Sequence, residues 1–231
     1  MTWLHRHKQL VLASMLGCLY IVQSTSHGLP GARALSSAFV GLIVLAVLLA
    51  VFEHHRSRIV AVILAAVTLV TNVVHYAQPA AELEIPLSVA HFVVLTLFLG
   101  YSVVVILGNL FRKGTVGADD VLGAVNGYLI AGAAWSSLYA LTSTLIPEAF
   151  TLPPAFASQV SDWPGRSSVF NYFSIVTLTT VGYGDITPAR APATTLTMME
   201  AVFGQFYIAV VVAQLIGARL SNPVRREAGD P

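Results

Sequence analysis

Residues 177–188, TLTTVGYGDITP, hold three threonines within four positions, then two glycines around a tyrosine, then an aspartate. Backbone carbonyls and threonine hydroxyls are neutral oxygen ligands, able to replace the water of a cation that sheds its hydration shell. Glycine takes positive φ at little steric cost, so Gly182 and Gly184 let successive carbonyls point one way instead of alternating as in a strand. The carbonyls of Thr180, Val181, Gly182 and Tyr183, with the Thr180 hydroxyl, then make a row of oxygens. The motif occurs once, so closing rings of ligands around an ion requires several copies of the chain to meet.

Such a row needs a scaffold, and the composition says where it lies. The 231 residues are 56% hydrophobic and 10% charged, against roughly 25% charged in soluble domains. Mean hydropathy is +0.75, which places the chain in a membrane. A spanning helix needs ~20 mostly apolar residues, and six apolar runs, charge-free but for Glu200 in the last, approach or reach that length: 10–26, 34–52, 59–76, 85–108, 121–146 and 193–218. Lys and Arg of short loops collect on the cytoplasmic side. With both termini cytoplasmic, Arg6, Lys8, Arg56, Arg58, Arg112, Lys113, Arg219, Arg225 and Arg226 lie inside, and only Arg33, Arg166 and Arg190 outside. The first run, after a basic start (HRHK), also reads as a cleaved signal peptide, although no A-x-A-like site stands out. Its removal leaves the orientation of the others unchanged. A net charge of +1 points to no nucleic-acid partner, and the lone Cys18 excludes an intrachain disulfide.

About 46 residues separate the fifth and sixth runs. PEAFTLPPAFASQVSDWPG, 147–165, is rich in Pro, Ser and acids and reads as an exposed extracellular loop. SSVFNYFSIVTLTT, 167–180, is apolar for 14 residues, long enough for a helix but too short to cross ~30 Å of hydrocarbon. The expectation is a re-entrant helix with Ser167 and Ser168 as candidate N-caps. Non-helical backbone at membrane depth is tolerated only where protein buries it or it lines a water-filled path, which is where 180–184 would lie.

With those residues in view, TLTTVGYGD resembles the selectivity filter of potassium channels over nine consecutive positions. The flanks extend the likeness with an aromatic pair before (Tyr172, Phe173), an acid after (Asp185) and then Pro188. The resemblance implies that Thr180, Val181, Gly182, Tyr183 and Gly184 coordinate ions, with K+ at Thr180 to Tyr183. It implies that Tyr172, Phe173, Thr179 and Asp185 support the filter, and that four chains form a homotetramer. It also makes the sixth run the pore's inner helix and puts a hinge glycine at Gly204, 20 residues beyond Gly184. Close helix packing accounts for that glycine equally well. Ile208, Val212 and Ile216, four apart on one helical face, are candidates for the cavity and gate lining, and as lipid-facing residues they would look no different. Glu200, an intramembrane carboxylate, is a functional candidate by default. It braces the pore helix from behind the filter or draws cations into the pore.

Six runs with the pore loop after the fifth match the plan of voltage-gated members, yet the fourth run has no Arg or Lys before Arg112 and Lys113. A sensor needs several charges, each worth ~2.3 kcal/mol per 100 mV, so gating by a charged fourth helix is not expected. The sixth run also lacks the Pro-x-Pro bend of many such channels. His75 and His91 read as hydrogen-bonded packing residues, with a pH sensor or a haem site as the sharper alternatives. Asn72, Asn126 and Gln205 read as interhelical hydrogen bonds.

The fold class expected is therefore an all-α membrane protein with six transmembrane helices, a re-entrant pore helix and a filter between helices five and six. Residues 1–113 form a four-helix domain resembling a voltage sensor without gating charges, 114–220 the pore domain and 221–231 a short cytoplasmic tail too polar to fold. No nucleophile, metal cluster or nucleotide-binding loop suggests an enzyme, and no cofactor is expected. The partners expected are K+, membrane lipid and further copies of the chain, in a cell membrane of prokaryotic inner-membrane type. Three rivals stand beside a potassium channel: a weakly selective cation channel, a potassium uptake transporter, whose four diverged filters share one chain, and a nonconducting scaffold or haem-binding bundle.

Overall fold

The computed structural model describes residues 8–25, 31–52, 55–77, 81–112, 117–161 and 163–220. Apolar runs without internal Gly-Pro breaks become helices there: α1 Lys8–Thr25, α2 Ala32–Val51, α3 His55–Tyr76, α4 Ala81–Arg112 and α5 Ala118–Leu145. A single helical turn, Pro154–Ala157, and a 3₁₀ turn, Gln159–Ser161, lead to α6, Trp163–Leu178, and the long α7, Ala191–Leu220, closes the described chain. Pro86 lies in the second turn of α4, where little of the i→i−4 ladder is lost. Arg6, Lys113, Arg225 and Arg226, and the tail 221–231, lie outside the described residues.

Among the described residues, five helices are long and apolar enough to cross a membrane: Ala34–Val51, Arg58–Tyr76, Leu83–Arg112, Ala118–Leu145 and Ala191–Gly217. The apolar part of α1, Lys8–Val22, is shorter than these. Among the described residues the fold is thus a mostly helical, multi-pass membrane architecture with five clear spans and a shorter sixth apolar helix.

Helix α4 packs most extensively on α5, and α3 packs on α4. Helix α1 lies against both α5 and α6, and α2 also reaches α6. Helices α1 and α2 therefore sit on α6 of their own chain, and α4 sits on α5. Polar side chains fix that arrangement. Asn126 Nδ2 donates to the Gln9 carbonyl and to Gln9 Oε1, each at 2.9 Å, and the Tyr20 hydroxyl donates to the Leu129 carbonyl at 2.8 Å. Asn72 Nδ2 donates to the Ser37 carbonyl of α2 at 2.8 Å. Between α3 and α4, His75 Nε2 pairs with Ser88 Oγ at 2.8 Å and His91 Nδ1 with Thr71 Oγ1 at 3.1 Å. Both imidazoles thus have hydroxyl partners, as packing histidines do.

A feature that the sequence did not announce ties together the two ends of the segment between α5 and α7. Phe150–Thr151 pairs antiparallel with Thr187–Pro188, Phe150 opposite Pro188 and Thr151 opposite Thr187. The Ala189 amide donates to the Ala149 carbonyl at 2.8 Å, and Arg190 meets Glu148 at 2.9 Å. Beneath this clamp Tyr139, Phe150, Phe170 and Phe173 form a buried aromatic cluster, their ring centroids 4.8 to 6.4 Å apart.

Candidate functional site

Helix α6 starts at Trp163, four residues before Ser167. Ser167 and Ser168 therefore lie inside the helix rather than capping it, a correction to the expected N-cap. The extra turn arises because Trp163 to Arg166 continue the helix back toward the clamp, where Arg166 donates to Thr144 Oγ1 at 3.0 Å and to the Val160 carbonyl at 2.9 Å.

At its other end α6 stops at Leu178, and the backbone changes character. Thr180 has φ 60°, Gly182 56° and Gly184 76°, while Val181 and Tyr183 between them keep negative φ. Glycine tolerates this at 182 and 184, but a β-branched threonine in the left-handed region is an outlier that costs of order 1–3 kcal/mol. Local bonds hold it: the Thr180 amide donates to the Thr177 carbonyl and the Val181 amide to the Val176 carbonyl, both at 2.9 Å. Thr179 Oγ1 donates to the Ile175 carbonyl at 2.6 Å. Alternating the sign of φ cancels the alternation of carbonyl direction that a strand imposes. Residues 179–185 are exposed in the single chain, with Val181 at 53% and Tyr183 at 70%.

Around this segment the aromatic pair divides. The Tyr172 hydroxyl donates to Asp185 Oδ2 at 2.6 Å, and its ring stacks on Tyr183 at 6.4 Å and 5°. Asp185 Oδ1 accepts the Ile186 amide at 2.9 Å. Phe173 faces the other way, buried against Tyr139 and Phe150. Successive helical residues point about 100° apart, so one side chain reaches the TVGYG segment and its neighbour the core.

Behind the segment, α5 and α7 converge on α6. Glu200 of α7 is fully buried; its Oε2 accepts the Tyr139 hydroxyl at 2.5 Å and its Oε1 lies 2.5 Å from Ser174 Oγ. The Tyr128 hydroxyl donates to the Leu178 carbonyl at 2.9 Å. Gly204 packs directly on that same carbonyl oxygen, and a Cβ there would collide with it. Gln205 Nε2 reaches Thr180 Oγ1 at 3.4 Å. Tyr207 donates to the Ala124 carbonyl at 2.7 Å and passes over Gly127. Tyr128 and Tyr139 were not foreseen as site residues. Their spacing of eleven, three helical turns on one face of α5, was the available signal.

Ile208, Val212 and Ile216 are 47%, 46% and 54% exposed, but so are Met199, Phe206 and Val210. Helix α7 touches its own chain along one stripe through Glu200, Gly204, Tyr207 and Val211, leaving the rest of its surface open.

The geometry is that of a 16-residue helix leading into a non-helical, oxygen-rich backbone between two long apolar helices. Residues 129–219, from the middle of α5 through nearly all of α7, match the family model described as Ion channel. The match spans less than half of the chain and is consistent with a potassium channel family. No curated protein and no solved structure matches the chain.

Proposed function

We propose that the chain is a subunit of a potassium-selective channel in which four copies close one pore around residues 180–184. The observation that carries this reading is the alternation of φ sign through 180, 182 and 184, on a segment braced from behind and bare on the side where other copies would meet. Carbonyls of Thr180, Val181, Gly182 and Tyr183 then replace the water of a dehydrated K+, and Tyr172 and Asp185 hold the segment open at its outer end. Residues 8–112 act as a four-helix unit docked on its own pore segment, both chain ends face the cytoplasm, and passage is passive. The fourth helix carries no Arg or Lys before Arg112, so the pore does not open by movement of such charges in that helix.

The test is ion flux through purified protein in liposomes. Barium-sensitive K+ flux well above Na+ flux, with selectivity lost in Tyr183→Asp, is the expected result. Equal K+ and Na+ flux from an intact tetramer would remove the selectivity from the reading, and no flux under any ionic gradient would remove the pore.

A further inference from the structure

Ser174 Oγ stands between two oxygens, 2.5 Å from Glu200 Oε1 and 2.7 Å from the Gly132 carbonyl of α5. Tyr139 reaches Glu200 Oε2 at 2.5 Å. Ser174, Glu200 and Tyr139 have no solvent exposure, so the protons in these contacts come from the side chains themselves. A serine hydroxyl has one proton; a peptide carbonyl and an ionised carboxylate only accept. With Glu200 ionised, Ser174 faces two acceptors with one proton, and one contact sets lone pair against lone pair at hydrogen-bond distance. The Tyr139 proton does not help, because it lies on Oε2.

A proton on Oε1 closes the count. Oε1–H donates to Ser174, Ser174 donates to Gly132, and Tyr139 donates to Oε2, so each contact holds one proton. The carboxyl's partners in these contacts are two hydroxyls and no cation, and an uncompensated buried carboxylate is costly.

We propose that Glu200 works as a neutral acid: a hydrogen-bond donor that ties α6 to α7 through Ser174 and accepts from Tyr139 of α5, rather than a fixed negative charge for passing cations. Its consequence for conduction rests on the channel reading; its protonation does not. Ser174 is one turn before Leu178, the last residue of α6, so Glu200 is a positioning residue that acts on the TVGYG segment through the pore helix.

Glutamine has the shape and the donor and acceptor of a neutral glutamic acid, without the ability to ionise. In liposomes Glu200→Gln should keep K+ flux and selectivity within about twofold of wild type, and Glu200→Ala should lose about tenfold, the scale of one hydrogen bond. Infrared spectroscopy of the wild-type protein should show a protonated carboxylic acid carbonyl band that Glu200→Gln lacks. If wild type conducts and Glu200→Gln fails as Glu200→Ala does, a charge is needed and the proposal is overturned. Absence of the band from wild type overturns it whatever the flux. A wild type that carries no K+ ends the channel reading, and the band then decides the proton alone.

Discussion

Gly204 shows how a single residue is decided by what it touches. Replacing a mid-helix glycine by alanine normally stabilises a helix by ~1 kcal/mol. Here the added methyl would run into the Leu178 carbonyl oxygen, backbone that is also held by Tyr128 at 2.9 Å and so cannot give way as a flexible side chain would. Overpacking of this kind costs about 1–3 kcal/mol, and it wins. Gly204→Ala should lower the melting temperature of the purified protein in detergent. Gly217→Ala on the same helix, where no atom lies within 4 Å of an added Cβ, should leave it unchanged or raise it. A Gly204→Ala protein as stable as the parent would mean that α7 does not press on the end of α6. The sequence could offer only the position of Gly204 within an apolar run, which suits a hinge and a helix contact alike; the contact depends on Leu178, 26 residues away, and no local pattern encodes it.

At the scale of elements, the clamp between Phe150–Thr151 and Thr187–Pro188 raises the question of what holds it. Its visible ion pair, Glu148 to Arg190 at 2.9 Å, joins side chains that are 82% and 54% exposed, and such pairs contribute 0–1 kcal/mol. The ladder itself and the Ala189 to Ala149 bond are backbone, over a buried Phe150. Glu148→Ala should therefore change stability by less than about 1 kcal/mol, as followed by thermal or denaturant unfolding; a larger loss would assign the clamp to the ion pair. This element was illegible beforehand because two-residue strands have no periodicity, and 147–165 reads as loop by composition. The long helices were legible because a charge-free run of about twenty residues has few alternatives. The start of α6 was misread at Ser167 because serine marks caps only statistically, and here Trp163 to Arg166 carry the helix one turn further back. The first run, legible as apolar, proved shorter than a full span, since Lys8 and the polar residues near Thr25 confine it.

For the whole molecule, the open surface of α7 poses the remaining choice, because a pore exists only if one face of that helix meets water. Under the channel reading Ile208, Val212 and Ile216 form that face, and a ring of branched apolar side chains closes a path by dewetting. Cys18, exposed on α1, is the chain's single cysteine, so a Cys18→Ser background allows one new thiol at a time. Val212→Cys should then be modified by a charged, water-soluble thiol reagent, and K+ flux in liposomes should fall as the reagent occupies the cavity. Val210→Cys is the control: Val210 is equally open in the single chain, at 44% against 46%, but two positions away it points to nearly the opposite side of the helix. Block at 212 and not at 210 is the expected pattern. The reverse would rotate α7 and move the lining to the Phe206–Val210 side, and block at neither would place both faces against lipid or protein. Because these two residues differ so little in exposure and hydrophobicity, the result depends on the assembly alone, and the pair reads which face of α7 the assembled copies turn to water.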